Sequence, residues 1–167
     1  MLSSAIILFI AIIGASLWLA AIIGFGVITA PLLHKQLPAG QAGEVASRII
    51  DRAHLVGWYG GIVSLIAIIL HSLMVSEGPV DPAFLLWTIP LILATSLWWV
   101  SWRKILPKAE ALRLAISVVD HSSEEENDEI IEARRLFDDI HHLSVNLWKA
   151  CFLLIIIGMA GLSWLST

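Results

Sequence analysis

The chain has 167 residues, 58% of them hydrophobic and 14% charged, with a formal net charge of −4 and a mean hydropathy of +0.86. So apolar a composition excludes a water-soluble globular domain and requires solvation by lipid. The single cysteine permits no intrachain disulfide. Without a Gly-rich phosphate loop, a nucleophile elbow or a basic aromatic patch, the chain carries no common soluble-enzyme signature and no nucleic-acid partner is expected.

The fold class expected is all-α: a single polytopic membrane domain over residues 1–167, built as an antiparallel bundle of four transmembrane helices. A helix needs about 20 residues to cross a hydrocarbon core. Ala5 to Leu33, Leu55 to Met74, Ala83 to Trp102 and Leu147 to Leu165 are long enough. The first run has no positive n-region and about twice the usual length of a signal-peptide core, so it reads as a spanning helix rather than a cleaved leader. Pro31 should end it near Ala30 or shortly after, and Pro38, Gly40 and Gly43 should break up the next stretch of chain.

The second helix should begin near Gln41 and run unbroken to about Met74, because Val45, Ile49, Ala53 and Val56 already recur at helical spacing. Ala53, Gly57 and Gly61 repeat every fourth residue on it, a small-residue row that lets helices approach closely in lipid, within the bundle or across a homo-oligomer. A short connection from Val75 to Pro82 makes the third helix its antiparallel neighbour. Trp102, Ile105, Ala109, Leu112, Ile116 and Val119 carry the third helix past the membrane surface. The fourth should start at Ser122 and Ser123, each with a glutamate three residues on, and continue to Trp164. Trp98, Trp99, Trp102 and Trp148 fall where an aromatic belt would lie, while Trp18 reads as packing.

All ten lysines and arginines fall between Lys35 and Arg52 or between Arg103 and Lys149. The positive-inside rule then places residues 34–54 and 103–146 in the cytoplasm as helix extensions and both termini outside, in a multi-pass protein of the cell inner membrane.

Polar groups near the membrane are few enough to take singly. His34, His54 and His141 should share one depth on the cytoplasmic side. Asp51 precedes His54, and Asp138 precedes His141, by three residues, which puts each carboxylate beside an imidazole on one helix face. Carboxylate–histidine pairs on facing helices are how bundles build di-metal centres. The candidate metal ligands are therefore His34, Asp51, His54, Asp138 and His141, with Asn146 nearby, and the candidate cofactor is a transition metal or, less directly, a haem. The same residues also fit ordinary solvated helix faces or a proton relay. His71 lies about 25 Å along the helix from His54 and cannot share its ligand.

Phe25-Gly26 and then Ala30-Pro31-Leu32-Leu33, together with Arg134 and Phe137-Asp-Asp-Ile-His141-His-Leu-Ser144-Val-Asn146, resemble the transmembrane protein 205-like family of small four-helix membrane proteins. The resemblance implies roles for Pro31, Phe137, His141, Ser144 and Asn146. More distantly, the layout is similar to copper-resistance membrane domains and four-helix protoporphyrinogen oxidases, which resemble one another in a histidine early in helix 1; this chain has none before His34. Three functional classes are expected. They are binding or transport of a metal ion or small molecule at the His/Asp cluster, a non-catalytic accessory or assembly subunit bound to other membrane subunits, and a haem-dependent oxidoreductase. In each of them the lipid bilayer is a partner.

Overall fold

A computed structural model describes residues 2–75, 82–120 and 128–165, and all of these except Leu37 and Pro38 are helical. Helix α1 (Leu2–Ile23) passes through a π-helical turn, Gly24–Thr29, into α2 (Ala30–Gln36). Leu37 is then extended, with φ −118° and ψ 150°, the conformation that the ring of Pro38 imposes on its predecessor. Helix α3 spans Ala39–Val75; α4 (Pro82–Val100) passes through a second π-helical turn, Ser101–Ile105, into α5 (Leu106–Asp120); and α6 spans Asp128–Leu165. The connection across 76–81 and the serine–glutamate start signal at 122–126 lie outside the described residues.

The first helix does not stop at Ala30, and the physical reason is the π turn. An interior proline lacks an N–H, and its ring collides with the carbonyl four residues back. Here the Ala30 N–H donates to Phe25 O and the Leu106 N–H donates to Ser101 O, both five residues back. The wider turn moves the offending carbonyl aside and restarts the helix, so that Pro31 and Pro107 each become the second residue of a new α segment. At that position a missing N–H costs nothing. The carbonyl of Gly24 also accepts the Thr29 hydroxyl, at 2.7 Å.

The four rods run antiparallel, and glycine sets their spacing. Between α1 and α3 the backbones nearly touch: a Cβ on Gly60 would lie 2.5 Å from Gly14 O, and one on Gly14 would lie 2.6 Å from Gly60 O. One turn away the Ser64 hydroxyl donates to Ala11 O at 2.7 Å. The row containing Gly57 and Gly61 lies inside the bundle, but it admits indole rings rather than a backbone. A Cβ on Gly57 would meet Trp98 and Trp18 at 2.6 and 2.7 Å, and one on Gly61 would meet Trp18 at 2.8 Å. Ala53, one turn earlier, packs against the same core. Between α4 and α6, Gly158 and Gly161 receive Leu91 and Trp87, and the Cys151 thiol donates to Ala94 O at 3.5 Å.

Ile6, Phe9, Val63, Ile66, Leu86, Leu93, Leu153 and Ile157 point outward and are exposed. Apolar side chains facing out from every rod, around a core that is also apolar, describe a bundle dissolved in lipid. Four stretches, Ser4–Gln36, Gly40–Met74, Phe84–Ser117 and Ile130–Gly161, are long and apolar enough to cross a membrane. All four continue toward the end that carries the lysines and arginines, called here the basic end. Packing persists there: Ala42 and Ile130 are buried, and Arg113 lays its aliphatic stem on Gly43.

Gly60→Ala should destabilise the bundle by about 2 kcal/mol, because a methyl group aimed at a backbone carbonyl forces the helices apart. Gly24→Ala meets nothing within 4 Å and should be neutral or stabilising by about a few tenths of a kcal/mol. Denaturant titration of both variants in detergent micelles tests the contrast.

Candidate functional site

At the level of the second π turn, each of the four rods contributes one ring to a common cluster. Trp18 comes from α1, His54 from α3, Trp98 from α4 and Trp148 from α6. His54 and Trp98 lie 4.7 Å apart, His54 and Trp148 5.1 Å, Trp98 and Trp148 4.8 Å, and Trp18 and Trp98 5.7 Å, centroid to centroid. His54, Trp18 and Trp98 are 0% exposed and Trp148 is 7% exposed. Trp98 and Trp148 are therefore core residues, not members of an interfacial belt. Trp99 is exposed and Trp58 and Trp102 are half-buried, Trp58 against the core: the Trp58 and Trp99 centroids lie 4.8 Å apart, and the Arg103 guanidinium sits 5.2 and 5.7 Å from the Trp99 and Trp102 ring centroids.

The hydrogen bonds of His54 fix its tautomer. Its Nδ1 lies 2.9 Å from Ile50 O, which can only accept, so Nδ1 carries the proton. Its Nε2 lies 3.2 Å from the Ser101 hydroxyl, which then donates. The backbone carbonyl of His54 accepts the Trp98 indole N–H at 2.9 Å. Full burial disfavours a charged imidazolium, so the ring is neutral, with Nδ1 donating and the Nε2 lone pair engaged by the Ser101 hydroxyl. Ser101 reaches it because it opens the π turn of the third rod.

The predicted cluster of His34, Asp51, His54, Asp138 and His141 is thus divided among four environments. His54 is sealed in the core. Asp51 is exposed and accepts the Trp102 indole N–H at 2.9 Å, beside a hollow of about 220 Å³ shared with Arg103 and Glu110. Asp138 and Asn146 are exposed on α6. Among the described residues, no group of three or more His, Cys, Asp or Glu side chains is placed to hold a metal ion. The donors do not fit the transition-metal centre that the spacing suggested, because the Asp-x-x-His pairs do not converge.

His34 and His141 do share a site. Both line a groove of about 690 Å³ between the first and fourth rods, together with Pro31, Ser144 and Lys149. Its walls are apolar, with Ile22, Phe25, Val27, Phe152 and Leu153 among them, and Trp148 forms part of its floor. Gly26 faces Trp148, where a Cβ would make ordinary contact at 3.8 Å, and the Phe25 ring lies 5.6 Å from the same indole, centroid to centroid. Phe137 stacks on His141, 6.3 Å between centroids at an interplanar angle of 15°. Among the described residues, no Asp or Glu lines the groove.

Four of the residues that carry the family resemblance, Pro31, Phe137, His141 and Ser144, therefore gather at this groove or against it. Sequence reasoning did not find Ser101 or the core roles of Trp98 and Trp148. The signal for Ser101 was Pro107 six residues on, matching the interval from Phe25 to Pro31 in the first rod.

A bundle of four apolar helices with an aromatic core and a side groove defines a multi-pass, all-α membrane protein. The chain belongs to the family described as Domain of unknown function (DUF4149), whose model matches residues 13–116. That match covers most of the first three rods and leaves α6 outside it. No curated protein and no solved structure matches the chain. The likeness to the transmembrane protein 205-like family rests on the two short motifs alone.

Ser101→Ala removes the donor to Nε2 and should cost about 1 kcal/mol. His54→Ala, which leaves a void among three indoles, should cost about 3 kcal/mol. Unfolding of the two variants in micelles measures the difference, and equal costs would show that the hydroxyl, not ring packing, is what His54 contributes.

Proposed function

We propose that this protein binds a lipid-like, amphipathic small molecule in the groove between the first and fourth rods, with the basic end and the polar rim of the groove on the cytoplasmic side of the cell inner membrane. The observation that carries this reading is the groove itself. A space of about 690 Å³ falls within the usual range for small-molecule sites, and such sites combine apolar walls with a few polar groups that fix orientation. Here Ile22, Val27, Phe152 and Leu153 offer the apolar surface, and His34, His141, Ser144 and Lys149 the polar one.

The groove opens on the flank of the bundle, between rods whose outward faces are apolar, so a ligand dissolved in the bilayer reaches it without crossing water. A metal-handling role has less support, because His54 has no free nitrogen and the aspartates face elsewhere. The cytoplasmic placement rests on the ten cationic side chains at one end of the bundle.

Two experiments test this. Native mass spectrometry of the full chain, released from membranes in a mild detergent, should show a bound amphiphile. Ser144→Trp, which fills the groove, should reduce that bound fraction at least about tenfold at an unchanged melting temperature; retention of the ligand by this variant would overturn the reading. For orientation, Lys104→Cys in sealed right-side-out vesicles should resist a membrane-impermeant maleimide until the vesicles are opened. Native Cys151 is buried and gives little background. Labelling of the sealed vesicles would place the basic end outside.

A further inference from the structure

The polar rim of the groove has one sign. Lys149 supplies an ammonium with three donors, His34 and His141 supply imidazole N–H donors, Ser144 supplies a hydroxyl, and among the described residues no carboxylate lines the space. The nearest acids in sequence, Asp51 next to the lining residue Ile50 and Asp138 and Asp139 just before His141, are exposed and do not line it. A cationic headgroup would meet Lys149 with no compensating acid. A negatively charged one would meet donors on both walls, His34 from α2 and His141 with Lys149 from α6. Charge-assisted hydrogen bonds of this kind are roughly twice as strong as neutral ones, and they gain further where the surroundings are apolar.

We infer that the groove selects lipids whose headgroup bears a net negative charge, drawn from the surrounding leaflet, with the acyl chain lying along Ile22, Val27, Phe152 and Leu153 and the anionic group held between His34 and Lys149. This rests on the groove's being a lipid site, and it adds the class of headgroup. The spacing supports such a pose. Lys149 and Phe152 are three residues apart on one helix, and Val27 and His34 are seven apart on another, so in each rod the polar and apolar lining residues share a face about one to two turns apart.

The test uses the full chain in nanodiscs of phosphatidylcholine doped with a trace of a photoactivatable lipid. The probe is either phosphatidylglycerol or phosphatidylcholine carrying the same diazirine-bearing acyl chain. After irradiation, cross-links are mapped by peptide mass spectrometry. Phosphatidylglycerol should label the groove segments 22–27 and 152–153 about tenfold more than phosphatidylcholine, a difference of about 1.4 kcal/mol. On the outward face of α4 around Leu86 and Leu93 the two should label equally. The double variant His34→Gln, Lys149→Gln should bring the groove ratio to near one while the phosphatidylcholine labelling stays as it was.

Equal labelling of the groove by both lipids would overturn the headgroup inference and leave the lipid site standing. The same phosphatidylglycerol excess on α4 as in the groove would also overturn it, since that pattern is general enrichment around a basic protein. Absence of groove labelling by either probe would remove the site and the inference together.

Discussion

The architecture hangs on a neutral histidine held where four helices meet. In lipid there is no hydrophobic force to drive one helix against another, so association depends on dispersion contacts between close surfaces and on the few hydrogen bonds that can form across them. His54 concentrates both. Its ring packs against Trp98 and Trp148, its Nε2 accepts from Ser101, and its carbonyl accepts from the Trp98 indole. Trp18 reaches the same cluster through Trp98, and it does so because Gly57 and Gly61 leave no side chains in its way. Each rod is thus referenced to one point, and small errors in the register of any rod would unseat a ring.

That arrangement explains why the π turns lie where they do. The turn at Ser101–Ile105 delivers a hydroxyl to His54 and makes room for Pro107. The turn at Gly24–Thr29 does the same steric work for Pro31 and leaves Gly26 facing Trp148, close enough that a Cβ would touch the indole. Widened turns of this kind recur at functional sites because they re-aim side chains without breaking the helix. Trp148 is shared between the two regions, since one indole packs on His54 and also borders the groove. The core and the candidate binding surface therefore have a wall in common.

Much of the fold was legible in the sequence because lipid solvation makes a blunt demand. Four runs without internal acids or arginines become four rods, and the 3-4 repeats from Val45 to Val56 and from Trp102 to Val119 correctly carry α3 and α5 beyond the apolar spans. The site was less legible. A spacing of three residues leaves two side chains about 60° apart around a helix, which is enough for His54 to point into the core while Asp51 points to Trp102. Proximity on one face therefore did not become convergence on one ligand. The one trace of the π turns was a proline six residues after Phe25 and after Ser101, and a proline by itself reads as a stop. Tryptophan is equally at home in a belt or in a core, and nothing in its sequence position separates Trp98, which is 0% exposed, from Trp99, which is 39% exposed.

The lengths of the rods have a consequence for the shape the protein presents to water. The four helices able to cross a membrane contain 33, 35, 34 and 32 residues, the last three with charged turns at their basic ends, and a helix of 33 residues is about 50 Å long. A hydrocarbon slab about 30 Å thick would hide such a rod only if it leaned by about 53°, beyond the roughly 40° at which transmembrane helices are found to tilt. The mismatch must therefore be relieved outside the bilayer. At the basic end, α3, α5 and α6 emerge still packed on one another through Ala42, Arg113 and Ile130, a stiff helical collar of the order of 20 Å. A partner that meets the described helices of this collar meets side chains already packed on one another, and ordering those helices is no cost of docking.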